Sequence, residues 1–127
     1  MTASRVLLDS SAWLEYFLTG RQEIKDIIES RGFILLTSAL SILEVKRRLL
    51  REKYERPKIL AALEFIRGNS LVKDISEEIC EKAAEDCMDR GLHTADAIIY
   101  RTALEENAKV FTLDSDFKKL AGVQLLK

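Results

Sequence analysis

Four acidic residues fall where an apolar run ends or a helical pattern begins: Asp9, Glu44, Asp96 and Asp114, with Asp116 two positions after the last. Asp9 closes the run Val6-Leu7-Leu8 and is followed by Ser10-Ser11. Asp96 sits in Leu92-His93-Thr94-Ala95-Asp96-Ala97-Ile98-Ile99. With Thr94 as N-cap it would occupy the first helical turn, where backbone N–H groups and the positive end of the helix dipole favour a carboxylate. Val110, Phe111 and Thr112 suit a pleated, buried segment, and Asp114 and Asp116 come directly after it. In an open α/β sheet, ligands bind outside the carboxyl ends of the strands. Carboxylates crowded there repel one another and take up protons unless a cation lies among them. Oxygen ligands without a His or Cys set suit Mg2+ or Mn2+ rather than zinc. Such a cation lets a phosphodiester approach and acidifies a bound water as nucleophile, which is the chemistry of phosphodiester hydrolysis.

Each acid also has an ordinary structural explanation. Asp9 is a good N-cap, Asp96 complements a helix terminus, and Asp114 and Asp116 are turn formers. Glu44 pairs in principle with Arg47 or Arg48 at i+3 or i+4. His93 is the only histidine, so a zinc site or a Ser-His-Asp triad has little to build on, and no Walker loop or Gly-x-Gly-x-x-Gly fingerprint occurs. A phosphoacceptor domain would need an acid beside Asp9, which is missing, although Asp74 could end a third strand.

The elements that must position these acids follow from periodicity. Apolar runs at Val6–Leu8, Phe33–Leu36, Leu71–Asp74, Lys109–Leu113 and Val123–Leu126 alternate with helical patterns, in the order β-α-α-β-α-α-β-α-α-β-(α)-β. That order predicts a three-layer α/β/α sandwich with a mainly parallel central sheet. The helix opening at Thr37-Ser38 carries an apolar stripe of Ala39, Ile42, Leu43, Leu49 and Leu50, with Glu44 at its border. Pro57 starts another helix, and Ser76 caps one bearing Ile79, Ala83, Ala84, Cys87 and Met88 before Gly91. The densest basic region contains Lys46, Arg47, Arg48, Arg51, Lys53, Arg56 and Lys58. Such a run is usually a solvated face. Lys46, Arg47, Arg48 and Arg51 are nevertheless placed to guide a polyanion toward Glu44.

The chain has 127 residues, 47% hydrophobic and 32% charged, with five Gly and one Pro, which fits one globular domain over 1–127. A net charge of −1 and a pI near 5.9 supply no global attraction to nucleic acid or anionic membranes. Cys80 and Cys87 lie seven apart on one helical pattern. Their Cα atoms are then on the order of 10 Å apart, beyond the disulfide limit of roughly 7 Å. Two buried, unpaired thiols suit a reducing cytoplasm. No apolar run approaches the roughly 20 residues of a membrane helix, so a soluble intracellular protein without membrane contact is expected.

Four segments together resemble the PIN-domain ribonucleases, especially the VapC-type toxins of toxin–antitoxin pairs. They are Val6-Leu-Leu-Asp9-Ser-Ser-Ala-Trp, Thr37-Ser-Ala-Leu-Ser-Ile-Leu-Glu44-Val, Leu92-His-Thr-Ala-Asp96-Ala-Ile-Ile and Val110-Phe-Thr-Leu-Asp114-Ser-Asp116-Phe. The resemblance implies a sheet in the order 3-2-1-4-5 and metal-dependent endoribonuclease activity. It implies that Asp9, Glu44 and Asp96 are the central metal-binding acids, with Asp114 completing the set and Asp116 a further outer ligand. Ser10 and Thr112 match small hydroxyl positions that support the acids. A homodimer and an antitoxin partner that places an Arg in the acidic site are also implied. The competing expectations are a housekeeping RNA-processing nuclease of the same fold and a non-catalytic interaction module that keeps the acids for a partner's arginines.

Overall fold

The computed structural model describes residues 4–126. The expected domain boundaries at residues 1 and 127 lie outside the described residues. Five parallel strands, β1 (Ser4–Leu8), β2 (Phe33–Ser38), β3 (Leu71–Lys73), β4 (Lys109–Thr112) and β5 (Val123–Leu125), form one sheet in the order β3-β2-β1-β4-β5. Val6, Leu7 and Leu8 of central β1 are all buried, as strands with both faces covered require. Alternation divides them between two cores. Val6, Leu8 and Leu35 join Trp13, Ile24, Val45, Leu49 and Ile66 on one side; Leu7 and Leu36 join Ile99, Tyr100, Val110 and Phe117 on the other.

Six helices cover the two faces: α1 (Ser10–Leu18), α2 (Gln22–Glu29), α3 (Ala39–Arg51), α4 (Arg56–Asn69), α5 (Glu77–Arg90) and α6 (Thr94–Glu105). The sandwich and strand order therefore agree with the sequence reading. Three details differ. Thr94 is not the cap of α6; His93 holds that position and makes no side-chain cap bond. The stripe expected on α3 is rotated: Ser41, Val45 and Leu49 are buried, whereas Leu43 and Leu50 are 54% and 47% exposed. On α5 the same happens to Met88, 85% exposed, and Cys80 is exposed rather than buried. What takes the inward place on α5 is a carboxylate, Asp86.

Asp86 accepts both Nε and Nη2 of Arg101 at 2.8 Å and Nε of Arg90 at 3.0 Å. Two neighbouring cations make a carboxylate tolerable in a core and hold it below the ordinary range, the Arg101 hydrogen bond contributing most. This fork ties α5 to α6, the helix that carries Asp96. On the other side of the sheet Trp13 Nε1 donates to Thr37 Oγ1 at 3.1 Å, and Thr37 meets Ser70 at 2.7 Å. That chain fixes the end of β2 against α1 and α4. Among the described residues no helix is long and apolar enough to cross a membrane.

Candidate functional site

Strand order reverses at β1, which has β2 on one side and β4 on the other. Asp9 follows β1 and the Asp114 loop follows β4, so both flank the crevice where ligands of such sheets bind. Asp9 is 3% exposed and is also the N-cap of α1, its Oδ1 accepting the Ala12 N–H at 3.1 Å. The capping role and the site role therefore coexist in one carboxylate.

Asp9 is heavily hydrogen-bonded. Ser11 Oγ donates to Oδ1 at 2.7 Å and Thr112 Oγ1 donates to Oδ2 at 2.5 Å. Burial pushes its pKa up, opposed by these hydroxyls and the Ala12 amide, while the charge of Asp114 raises it further. Ser11 and Thr112 also receive the amides of Leu113 and Asp114 at 3.0 and 2.9 Å, so the same hydroxyls set the course of the loop after β4. Thr112 thus touches Asp9 through its hydroxyl. Ser10 supports a different acid, donating to Glu44 Oε1 at 3.0 Å. Ser11 is not singled out by the sequence, whose one signal for it is the doubled serine after Asp9.

Asp96 stands in the first turn of α6, as expected. Its carboxyl is half-buried and pushed up to about 6, first by desolvation, then by the charges of Asp114, Asp116, Asp9 and Glu44. All five acids are thus electrostatic neighbours. Asp114 caps a 3-10 turn, Ser115–Phe117, by accepting the Asp116 amide at 2.9 Å, which folds Asp116 back toward Asp96. One carboxylate oxygen from each of Asp96, Asp114 and Asp116 lies within 4.8 Å of the others. The geometry therefore brings both candidates for the fourth acid to Asp96. Asp9 and Glu44 lie beside this tight trio, with oxygens engaged by hydroxyls.

The donor set fits a hard divalent cation. Oxygens at roughly 2.1 Å from a common centre are at most about 4.2 Å apart, and the three oxygens all lie within 4.8 Å of one another. Burial first and the neighbouring carboxylates second disfavour the ionised form of Asp96, and a cation would offset both. No His or Cys belongs to the trio. Apolar grooves lie away from the rim, between α3 and α4, beside α1, and between α5 and α6. The predicted basic residues are on α3 at exposed or half-exposed positions; Arg48 is held by Glu52 at 2.9 Å.

A PIN-domain family profile matches residues 6–123. No curated protein sequence matches the chain. Solved structures with the same fold include a toxin–antitoxin complex from Klebsiella pneumoniae, with TM-score 0.76 and 24% identity over 94% of this chain and 95% of that one. Another is VapC20 from Mycobacterium tuberculosis, a sarcin–ricin loop cleaving toxin, with TM-score 0.79 and 19% identity over 96% and 99%. A third is PAE2754 from Pyrobaculum aerophilum, with TM-score 0.72 and 23% identity over 97% and 90%. With the profile spanning most of the chain and every acid of the rim, the chain belongs to the PIN-domain family.

Proposed function

We propose that this chain is a divalent-cation-dependent endoribonuclease and the toxin of a toxin–antitoxin pair. The observation that carries the reading is the meeting of Asp96, Asp114 and Asp116 at the strand-order reversal, with Asp9 and Glu44 against them. The fold shared with a toxin–antitoxin complex and with a toxin that cleaves the sarcin–ricin loop supports the choice of RNA and of an antitoxin partner.

In this reading Asp96, Asp114 and Asp116 hold Mg2+ or Mn2+, and Asp9 supplements them. The bound cation would supply charge neutralisation for the phosphodiester and lower the pKa of the attacking water. Asp9 is held in one orientation by Ser11 and Thr112, and a bound cation would favour its ionised form against the burial that disfavours it. Glu44, with one oxygen on Ser10, has the other available to orient water and accept its proton. Thr112 couples the acids, since it donates to Asp9 and receives the Asp114 amide.

The test is cleavage of RNA by purified protein with Mg2+, with Mn2+ and with chelator, alongside Asp9→Asn and Asp96→Asn. Internal cuts that need the divalent ion and disappear in both folded variants are expected. Equal cleavage by wild type and variants would defeat the assignment. Well-folded wild type that binds no divalent ion would favour the non-catalytic module.

A further inference from the structure

A carboxylate oxygen has about two lone-pair positions, so the donors already on the rim acids decide what each can still offer. Asp114 Oδ1 accepts the Asp116 amide and Glu44 Oε1 accepts the Ser10 hydroxyl, one donor apiece, which leaves each of those oxygens a position open. Asp9 differs. Its Oδ1 takes the Ser11 hydroxyl at 2.7 Å and the Ala12 amide at 3.1 Å, and has no position left. Oδ2 takes only Thr112 and keeps one. Asp9 can therefore offer a cation a single oxygen, and the side chain that closes the other is Ser11.

Ser11 is committed on its acceptor side as well. Its one hydrogen goes to Asp9, and its oxygen accepts the Leu113 amide at 3.0 Å. The hydrogen of Thr112 is on Oδ2, so the 3.3 Å approach of the two hydroxyls carries no proton. Among the described residues, Ser11 is the one side chain from outside β4 and the turn after it that bonds to the backbone of residues 113–116. A single hydroxyl thus sets how many oxygens Asp9 presents and anchors the turn that gathers Asp114 and Asp116.

Divalent cations respond differently to that restriction. Mg2+ and Mn2+ favour octahedral oxygen sites, whereas Ca2+ takes roughly six to eight oxygens in looser geometry and readily uses both oxygens of one carboxylate. We propose that Ser11 is a positioning residue that sets the cation selectivity of the rim. By closing Oδ1 it confines Asp9 to one-oxygen ligation, which suits Mg2+ or Mn2+ and denies Ca2+ a second oxygen. The proposal rests on the cation reading of the rim and deepens it.

Its test is calorimetric titration of Mn2+ and of Ca2+ into wild type, Ser11→Ala, Ser11→Thr and Ser76→Ala at pH 7.5, each checked for thermal unfolding in chelator. Ser11→Ala should weaken Mn2+ about tenfold, as loss of a residue that orients a ligand does, and leave Ca2+ no weaker. The preference for Mn2+ over Ca2+ then falls about tenfold. Ser11→Thr keeps the hydroxyl and should keep the preference. Ser76→Ala removes the side-chain cap of α5 and should lower the melting temperature without moving the ratio. If Ser11→Ala does not fold, Ser11→Cys, close in size but a weak donor, should shift the ratio in the same direction. Equal losses for the two cations, or the same change of ratio in Ser11→Thr or Ser76→Ala, would overturn the proposal. Mn2+ binding by wild type with an unchanged ratio in Ser11→Ala defeats the selectivity role alone, whereas no binding of either cation by folded wild type defeats the cation reading and the proposal with it.

Discussion

Replacing Asp96 by Asn should stabilise the cation-free protein. The Asp96 carboxyl moves from 3.8 to about 6 on folding, so its ionised form is disfavoured in the native state. At 1.36 kcal/mol per pH unit that is about 3 kcal/mol before screening. Asp96 is only half-buried, so solvent reduces this to about 1.5–2 kcal/mol. Loss of a favourable charge at the N-terminus of α6 offsets about 0.5 kcal/mol. The net gain is about 1 kcal/mol, or on the order of 4 °C in Tm. The pH dependence gives the sign. Below about pH 4 the group is protonated in both states and wild type is not penalised. As pH rises from there to about 6, the unfolded chain loses the proton first, and stability falls; above 6 the penalty is complete. Thermal unfolding by circular dichroism, in chelator, should therefore show the variant above wild type at pH 7.5 and the two nearly level at pH 4. Added Mn2+ should raise only wild type. A variant that melts at or below wild type at pH 7.5 in chelator would refute the argument that burial and the neighbouring acids together disfavour the Asp96 charge.

Thr112→Val removes the donor to Asp9 and the acceptor of the Asp114 amide. It should lower stability by about 1–3 kcal/mol in urea unfolding and weaken Mn2+ binding about 10- to 100-fold by calorimetry. Asp86→Asn leaves Arg90 and Arg101 without their carboxylate and should cost about 2–4 kcal/mol by the same denaturation. Because the Asp86 pKa is lowered in the folded state, its contribution is present above about pH 4 and lost as pH falls through the folded value. The variant should accordingly show a shallower acid limb than wild type.

The sheet was readable because its strands are fully buried apolar runs bounded by caps and breakers. Val6–Leu8 ends at an acid and two serines, and Ser76 and Gly91 bracket α5, the latter in the left-handed conformation at φ +68. The helix faces were less readable. Hydrophobicity alone could not show that Leu43, Leu50 and Met88 point outward while Asp86 points inward, because the arginines that neutralise Asp86 come from its own helix and from α6, 15 residues on. At the site, residue types and their places near strand ends and helix starts singled out Asp9, Glu44, Asp96, Asp114 and Asp116 as candidates, which the fold brings to one rim. The turn that gathers Asp116 depends on one amide bond to Asp114, and the role of Ser11 depends on pairing with a loop 102 residues away. Contacts of that kind leave no periodic trace.

The rim as a cation site is tested most directly by calorimetric titration of Mn2+ into wild type, Asp114→Asn and Asp116→Asn at pH 7.5, with thermal unfolding checked in each. Saturable binding in wild type, weakened in both variants while they remain folded, is the predicted result. Absence of binding in folded wild type, or identical binding in all three proteins, would contradict it.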